Sequence, residues 1–168
     1  MKKTKIRYMK SFKKLCLFII LGIFSFSGCK KDNDETTVDN HAPVIDLTGD
    51  AFPVQCSTLK RGGSFTFKTK FSDNIELGTY SIDIHHNFDH HTHSTEFEEC
   101  ELQPKKEPVK PFLFIKSYDI PSGQKNYEAV QQIEVSADID PGDYHFMISI
   151  SDHVGWSTIK GLSIQIVE

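Results

Sequence analysis

Five of the eight histidines in this 168-residue chain fall within nine positions: His85, His86, His90, His91 and His93, with Asp89 among them. Neutral imidazole is a strong ligand for borderline metals such as Zn²⁺ and Cu²⁺. In an extended chain His91 and His93 project to the same side, so both can grip one ion. The competing reading of such a run is a solvated loop with no more affinity than a polyhistidine tag.

A metal site needs elements that bring its ligands together, and the sequence around the histidines reads as strands. After Pro43 apolar residues alternate with period two, and no long stretch has helical periodicity. Residues 64–71 place Phe65, Phe67, Thr69 and Phe71 on one face; residues 78–86 do the same with Tyr80, Ile82 and Ile84. Residues 143–151 set Tyr144, Phe146, Ile148 and Ile150 inward and His145 outward, and residues 159–167 turn Leu162, Ile164 and Ile166 inward. Weaker strands are expected at 44–48, 112–118 and 127–135. Turn chemistry separates them, as in Arg61-Gly62-Gly63, Ser72-Asp73-Asn74 and Asp140-Pro141-Gly142. Seven half-buried strands in about 125 residues predict an all-β, two-sheet sandwich, and the immunoglobulin-like type is implied by a resemblance. Asp140 to Phe146, followed by the Asp152-His153-Val154-Gly155 turn, resembles the sixth strand of such domains.

In that topology the third and sixth strands are antiparallel neighbours. His85 ends one and His145 begins the other, both outward, so the two meet at one corner. The connection carrying His91 and His93 leaves from there, and at about 25 residues, Asn87 to Pro111, it is long enough to suggest a functional loop. His85, His91, His93 and His145 are therefore the expected ligands, with Asp89, His86 and His90 ranked lower. Asp89 is equally suited to orienting a ligand imidazole. His153 lies in a turn at the opposite end and His41 in the N-terminal segment. Asp73 and Asp152 share that far end, where turn-forming Asp is commoner than Ca²⁺ binding.

The N-terminus indicates where the domain works. Seven basic and no acidic residues occupy positions 1–14, and a 12-residue apolar stretch, Leu15–Phe26, follows. That stretch is too short to span a bilayer as a helix, which takes about 20 residues. The pattern is that of a signal peptide ending at Gly28. Phe26-Ser27-Gly28-Cys29 resembles the lipobox of bacterial lipoproteins, which implies an acylated Cys29 as the mature N-terminus. The alternative is an ordinary secretory signal with a chance cysteine. Residues 29–41, polar and acidic, read as a flexible tether, followed by the domain at 42–168. Loss of the signal leaves 12 basic against 23 acidic residues, a balance that disfavours nucleic acid and attracts cations. Cys16 leaves with the signal, so Cys56 and Cys100 remain as a pair in an oxidising compartment, where a disulfide is favoured over two free thiols. Both fall in connections at the same end of the expected sandwich.

Taken together, the lipobox, the strand pattern, Ile82-Asp83-Ile84-His85-x-Asn87-Phe88-Asp89-x-His91-x-His93 and Pro141-Gly142-Asp143-Tyr144-His145-Phe146 resemble a family of Bacteroidetes-type lipoproteins. That family is defined by an immunoglobulin-like domain of unknown function. The resemblance covers about residues 42–167 and implies no established activity. In its motif His86 and His90 fall at variable positions.

Three functions compete. The first is a lipid-anchored outer-membrane module, on the cell surface or the periplasmic face, with a structural or sequestering site for Zn or Cu. The second is an accessory lipoprotein that binds a glycan or a protein through its sheet surface, with the histidine loop incidental. Trp156 is the only tryptophan, and most other aromatics are inward, which weakens the second reading. The third is a metal-dependent hydrolase with Glu96 or Glu98 as base. Four histidines leave little room for a reacting water, and a small sandwich is not expected to hold a deep cleft, so the chain reads as a non-enzyme.

Overall fold

In the computed structural model, which describes residues 38–168, eight strands form two sheets, and none of the described residues is helical. The expected signal peptide, Cys29 and the residues of the tether up to 37 lie outside the described residues. The strands are β1 (Val44–Asp46), β2 (Thr58–Lys60), β3 (Ser64–Ser72), β4 (Leu77–His86), β5 (Phe114–Asp119), β6 (Asn126–Glu134), β7 (Gly142–Asp152) and β8 (Ser157–Val167). One sheet runs β1-β3-β6 and the other β2-β8-β7-β4-β5. Neighbours are antiparallel except β2, which pairs parallel with β8.

The alternation in the sequence decides which faces meet. Phe65, Phe67 and Phe71 of β3 face Tyr80, Ile82 and Ile84 of β4 and Phe146, Ile148 and Ile150 of β7, all buried. Their rings interlock, with Phe67 5.7 Å from Phe146 and Phe71 5.2 Å from Tyr80. Each such side chain contributes about 1.5–3 kcal/mol on burial, so this double layer supplies the main driving force for folding.

Two particulars differ from the sequence reading. β2 is an eighth strand of three residues, fixed by its parallel partner β8 rather than by any alternation of its own. The strand expected at 112–118 is β5, and it continues the sheet of β4. Its exposed Ile115 and half-buried Phe114 reflect an edge position.

Tyr144 locks the corner before β7. Its hydroxyl donates to the Asp140 carbonyl at 2.6 Å and accepts from the Phe112 N–H at 3.0 Å. A buried tyrosine bonding back a few residues upstream is the corner device of immunoglobulin-like sandwiches. Burial also pushes its phenol up to about 12. At the other end, Gly78 marks a shift in register between β4 and β7. A Cβ there would stand 2.6 Å from the Asp152 carbonyl oxygen, so only glycine lets the two backbones approach.

Replacing Tyr144 by Phe should keep the sandwich but leave a buried N–H and C=O without their shared partner, costing about 1–3 kcal/mol. Urea unfolding followed by far-UV circular dichroism measures this; an unchanged midpoint would contradict the role given to the corner.

Candidate metal centre

β4 and β7 run side by side in a register that sets His85 opposite His145. Both project from the sheet face that turns away from the core, because their neighbours Ile84, Tyr144 and Phe146 point into it. The long β4–β5 connection, residues 87–113, then folds back across this outer face and stays there. Asn87 N–H donates to the Asp143 carbonyl at 2.8 Å, Gln103 N–H to Asp143 Oδ2 at 2.8 Å, and Thr95 N–H to the Gly161 carbonyl at 2.8 Å. Gln165 and Gln55 side chains donate to the carbonyls of Glu101 and Glu98, each at 2.7 Å. Cys56 and Cys100 are joined, with Cα atoms 5.4 Å apart, which fastens the middle of the loop. His145, expected on the outward face, is 1% exposed because this loop covers it.

The loop delivers His91 and His93 onto the His85–His145 pair. Centroid separations among the four rings are 5.8 Å for 85–91, 5.4 Å for 85–93 and 5.5 Å for 85–145. The remaining three are 4.8 Å for 91–93, 4.9 Å for 91–145 and 5.1 Å for 93–145. A tetrahedral zinc ion with nitrogens at about 2.0–2.1 Å sets four imidazole centroids about 5 Å apart and its nitrogens about 3.3 Å apart. His85 Nε2 and His93 Nδ1 are 3.2 Å apart. His85, His91 and His93 each offer a nitrogen within 4.8 Å of the other two. His145 joins them by ring proximity.

The outer nitrogens are already occupied, which turns the inner ones toward the cluster. His85 Nδ1–H donates to Asp83 at 2.8 Å, His91 Nδ1–H to Asp89 at 2.5 Å, and His145 Nε2–H to the His91 carbonyl at 2.9 Å. Ligand histidines are oriented in this way by carboxylates and carbonyls. The contact with His91 holds the Asp89 carboxyl below its usual range. His145 Nδ1 is buried without a partner among the described residues. A buried nitrogen lone pair with nothing to bind is costly; His145 is nonetheless outside the trio of histidines whose nitrogens lie within 4.8 Å of one another. Burial, opposed by the bond to the His91 carbonyl and helped by the three neighbouring imidazoles, lowers the His145 pKa to about 4. It is therefore neutral at pH 7, the form a metal requires.

The lower-ranked residues do other things. Asp89 is in place to orient His91. His86 points to the opposite face and lies tilted against Phe88, ring centroids 5.0 Å apart. His90 sits in a turn at φ 61° and donates to the Gln103 carbonyl at 2.9 Å, which helps hold the loop. His153 is exposed in the β7–β8 turn, and His41 is exposed ahead of β1. Gly161 was not singled out by the sequence, yet it forms the floor: a Cβ would stand 1.9 Å from the His93 carbonyl oxygen. Its only sequence signal is a glycine inside a strand, a mark of close backbone approach. A broad, half-open depression of about 450 Å³ lies beside His91 and His145, with Glu96, Glu98 and Glu99 on its walls. Glu96 is paired with Lys160 at 2.9 Å.

A family model described as a domain of unknown function, DUF4625, matches residues 27–167, and the chain belongs to that family. Comparison with curated proteins finds no match.

The lowered pKa of His145 has a consequence for stability. Below about pH 6.5 the unfolded chain protonates this imidazole while the folded one resists until about pH 4. Its contribution is thus intact above pH 6.5 and is lost as pH falls toward 4. Urea titrations of the metal-free full chain should show this decline, and His145→Gln should flatten it; an equal slope in both proteins would contradict the buried neutral imidazole.

Proposed function

We propose that this DUF4625 member is a lipid-anchored extracytoplasmic binding module that coordinates one divalent transition metal, of the Zn or Cu class, through His85, His91, His93 and His145. The observation that carries this reading is the mutual approach of four imidazoles from β4, β7 and the connecting loop, all six ring pairs within 5.8 Å. The donor set suits borderline cations. The glutamates of the adjoining depression favour the approach of positive charge. The basic, apolar and small-residue pattern before Cys29 supports export and acylation, and the family match begins at residue 27, so it takes in that cysteine.

The role is structural or sequestering rather than catalytic. Four histidines fill a tetrahedral shell and leave no open position for a reacting water, and Glu96 is engaged by Lys160. A glycan- or protein-binding surface receives less support. The exposed aromatics Phe97 and Trp156 lie in different connections, the β4–β5 loop and the β7–β8 turn. A metal ion would tie the loop to the sheet, so binding and loop order are coupled.

Metal analysis of the full chain purified without a tag, after incubation with Zn²⁺ or Cu²⁺ and desalting, should give one ion per chain. His91→Ala/His93→Ala should lose stoichiometric binding, Asp89→Ala should weaken it about 10–100-fold, and acidification through the imidazole range should release the ion. Sub-stoichiometric metal in the wild type, or equal loading of the double variant, would reject the site.

A further inference from the structure

A second cluster stands at the other end of the sandwich, where the chain enters the domain. Asp39 precedes β1, Asp73 lies in the β3–β4 turn and Asp152 ends β7. Each brings an oxygen within 4.8 Å of the other two.

The carboxylates of the two turns are held by one oxygen only. Asp73 Oδ1 accepts the N–H groups of Ile75 and Glu76 at 2.7 and 2.8 Å. Asp152 Oδ1 accepts those of Val154, Gly155 and Trp156 at 2.9, 2.6 and 2.9 Å. These bonds account for the turn-forming role that the sequence favours. They leave the second oxygen of each, Asp73 Oδ2 and Asp152 Oδ2, and both are buried with no partner among the described residues. Asp152 is only 5% exposed. Among the described residues no lysine, arginine or histidine nitrogen lies within 4.0 Å of any of the three carboxylates. Three close carboxylates without a counter-charge repel one another, and buried oxygens without donors are costly. One hard cation resolves both problems.

We propose that Asp39, Asp73 and Asp152 bind a calcium-class cation that clamps the segment entering the domain onto the β3–β4 and β7–β8 turns. An all-oxygen, all-carboxylate set selects a hard ion over the borderline metals suited to the histidine site. Calcium tolerates the irregular geometry of ligands drawn from three separate segments, with water completing the shell. Asp39 is the ligand that makes the site conditional. It lies seven residues before Asp46, the end of β1, and among the described residues its side chain accepts only the His41 N–H, at 3.2 Å. Without the ion little else fixes its carboxylate. With the ion, the path from any membrane anchor into the domain becomes rigid at its last step. The inference does not depend on the histidine site.

Trp156, the only tryptophan in the chain, reports on the site, because its indole N–H donates to the Asp39 carbonyl at 3.2 Å. CaCl₂ is titrated into the full chain after treatment with EGTA, with Trp156 emission and Tm as readouts. The wild type should show a saturable emission change and a raised Tm in the concentration range of extracellular calcium modules, about 0.1–1 mM. Asp39→Asn, which removes one of the three mutually repelling charges, should have a Tm in EGTA at or above that of the wild type yet bind calcium at least tenfold more weakly. Asp152→Asn retains an oxygen for the turn N–H groups and should also lose binding. Zn²⁺ loading of the histidines should be unaltered in Asp39→Asn. Emission and Tm that stay flat through about 10 mM CaCl₂, or an Asp39→Asn titration that overlays the wild type, would overturn the proposal.

Discussion

The hydrogen bond from Thr95 N–H to the Gly161 carbonyl, 2.8 Å long, stands for the constraint on which the rest of the site depends: the β4–β5 loop must lie flat on the outer face of β7 and β8. A connection of this length would ordinarily sample many positions, and ordering it costs about 1–2 kcal/mol per residue in backbone entropy. Several bonds share the task of opposing that cost. The loop backbone pairs with Asp143 and Gly161, Gln55 and Gln165 reach over its carbonyls, and the Cys56–Cys100 bridge, 44 residues apart in sequence, removes freedom from the unfolded chain. On the chain-entropy model a bridge of that span is worth about 4 kcal/mol. Gly161 permits the closest approach, since any side chain there would collide with the His93 backbone.

Once the loop is down, the chemistry of the histidines follows. His145 loses its water and with it most of its basicity. Its Nε2–H finds the His91 carbonyl, and the opposite nitrogen is left buried and unpaired among the described residues. Asp83 and Asp89 take the outer protons of His85 and His91. The cluster is thus a set of packed imidazoles in which His85, His91 and His93 each bring a nitrogen within 4.8 Å of the other two, a spacing that suits a shared cation. At the far end of the sandwich the same logic recurs in harder chemistry, where aspartates close to one another lack a positive partner among the described residues. The two clusters differ in donor atom, so the ions proposed for them need not compete.

Much of this was legible in the residues. Period-two alternation located the strands of both layers, because an inward phenylalanine or isoleucine at every second position has no other way to be buried. The position of His85 at the end of one strand and His145 at the start of its neighbour was also readable, since antiparallel pairing of the third and sixth strands follows from the sandwich topology. Other features depended on contacts that leave no local trace. Thr58–Lys60 is a strand only because β8 offers it an edge. The strand Phe114–Asp119 could be recognised, but its place beside β4 rests on the route of the long loop. The same route decides that His145 is buried, that a depression lies beside it, and that a glycine in β8 supports a histidine from the loop. Asp152 read as a turn residue, and it is one; its second oxygen became informative only when Asp73 and Asp39 were seen around it.

The central claim is that four imidazoles from three separate stretches of chain share one ion. X-ray absorption at the zinc edge of the zinc-loaded full chain tests it directly. The account predicts a single shell of four nitrogens at about 2.0 Å, with the outer-shell scattering of four imidazoles. A six-coordinate shell of mixed oxygen and nitrogen, carrying the signature of only one or two imidazoles, would show the ion held by a mobile polar loop and would contradict it.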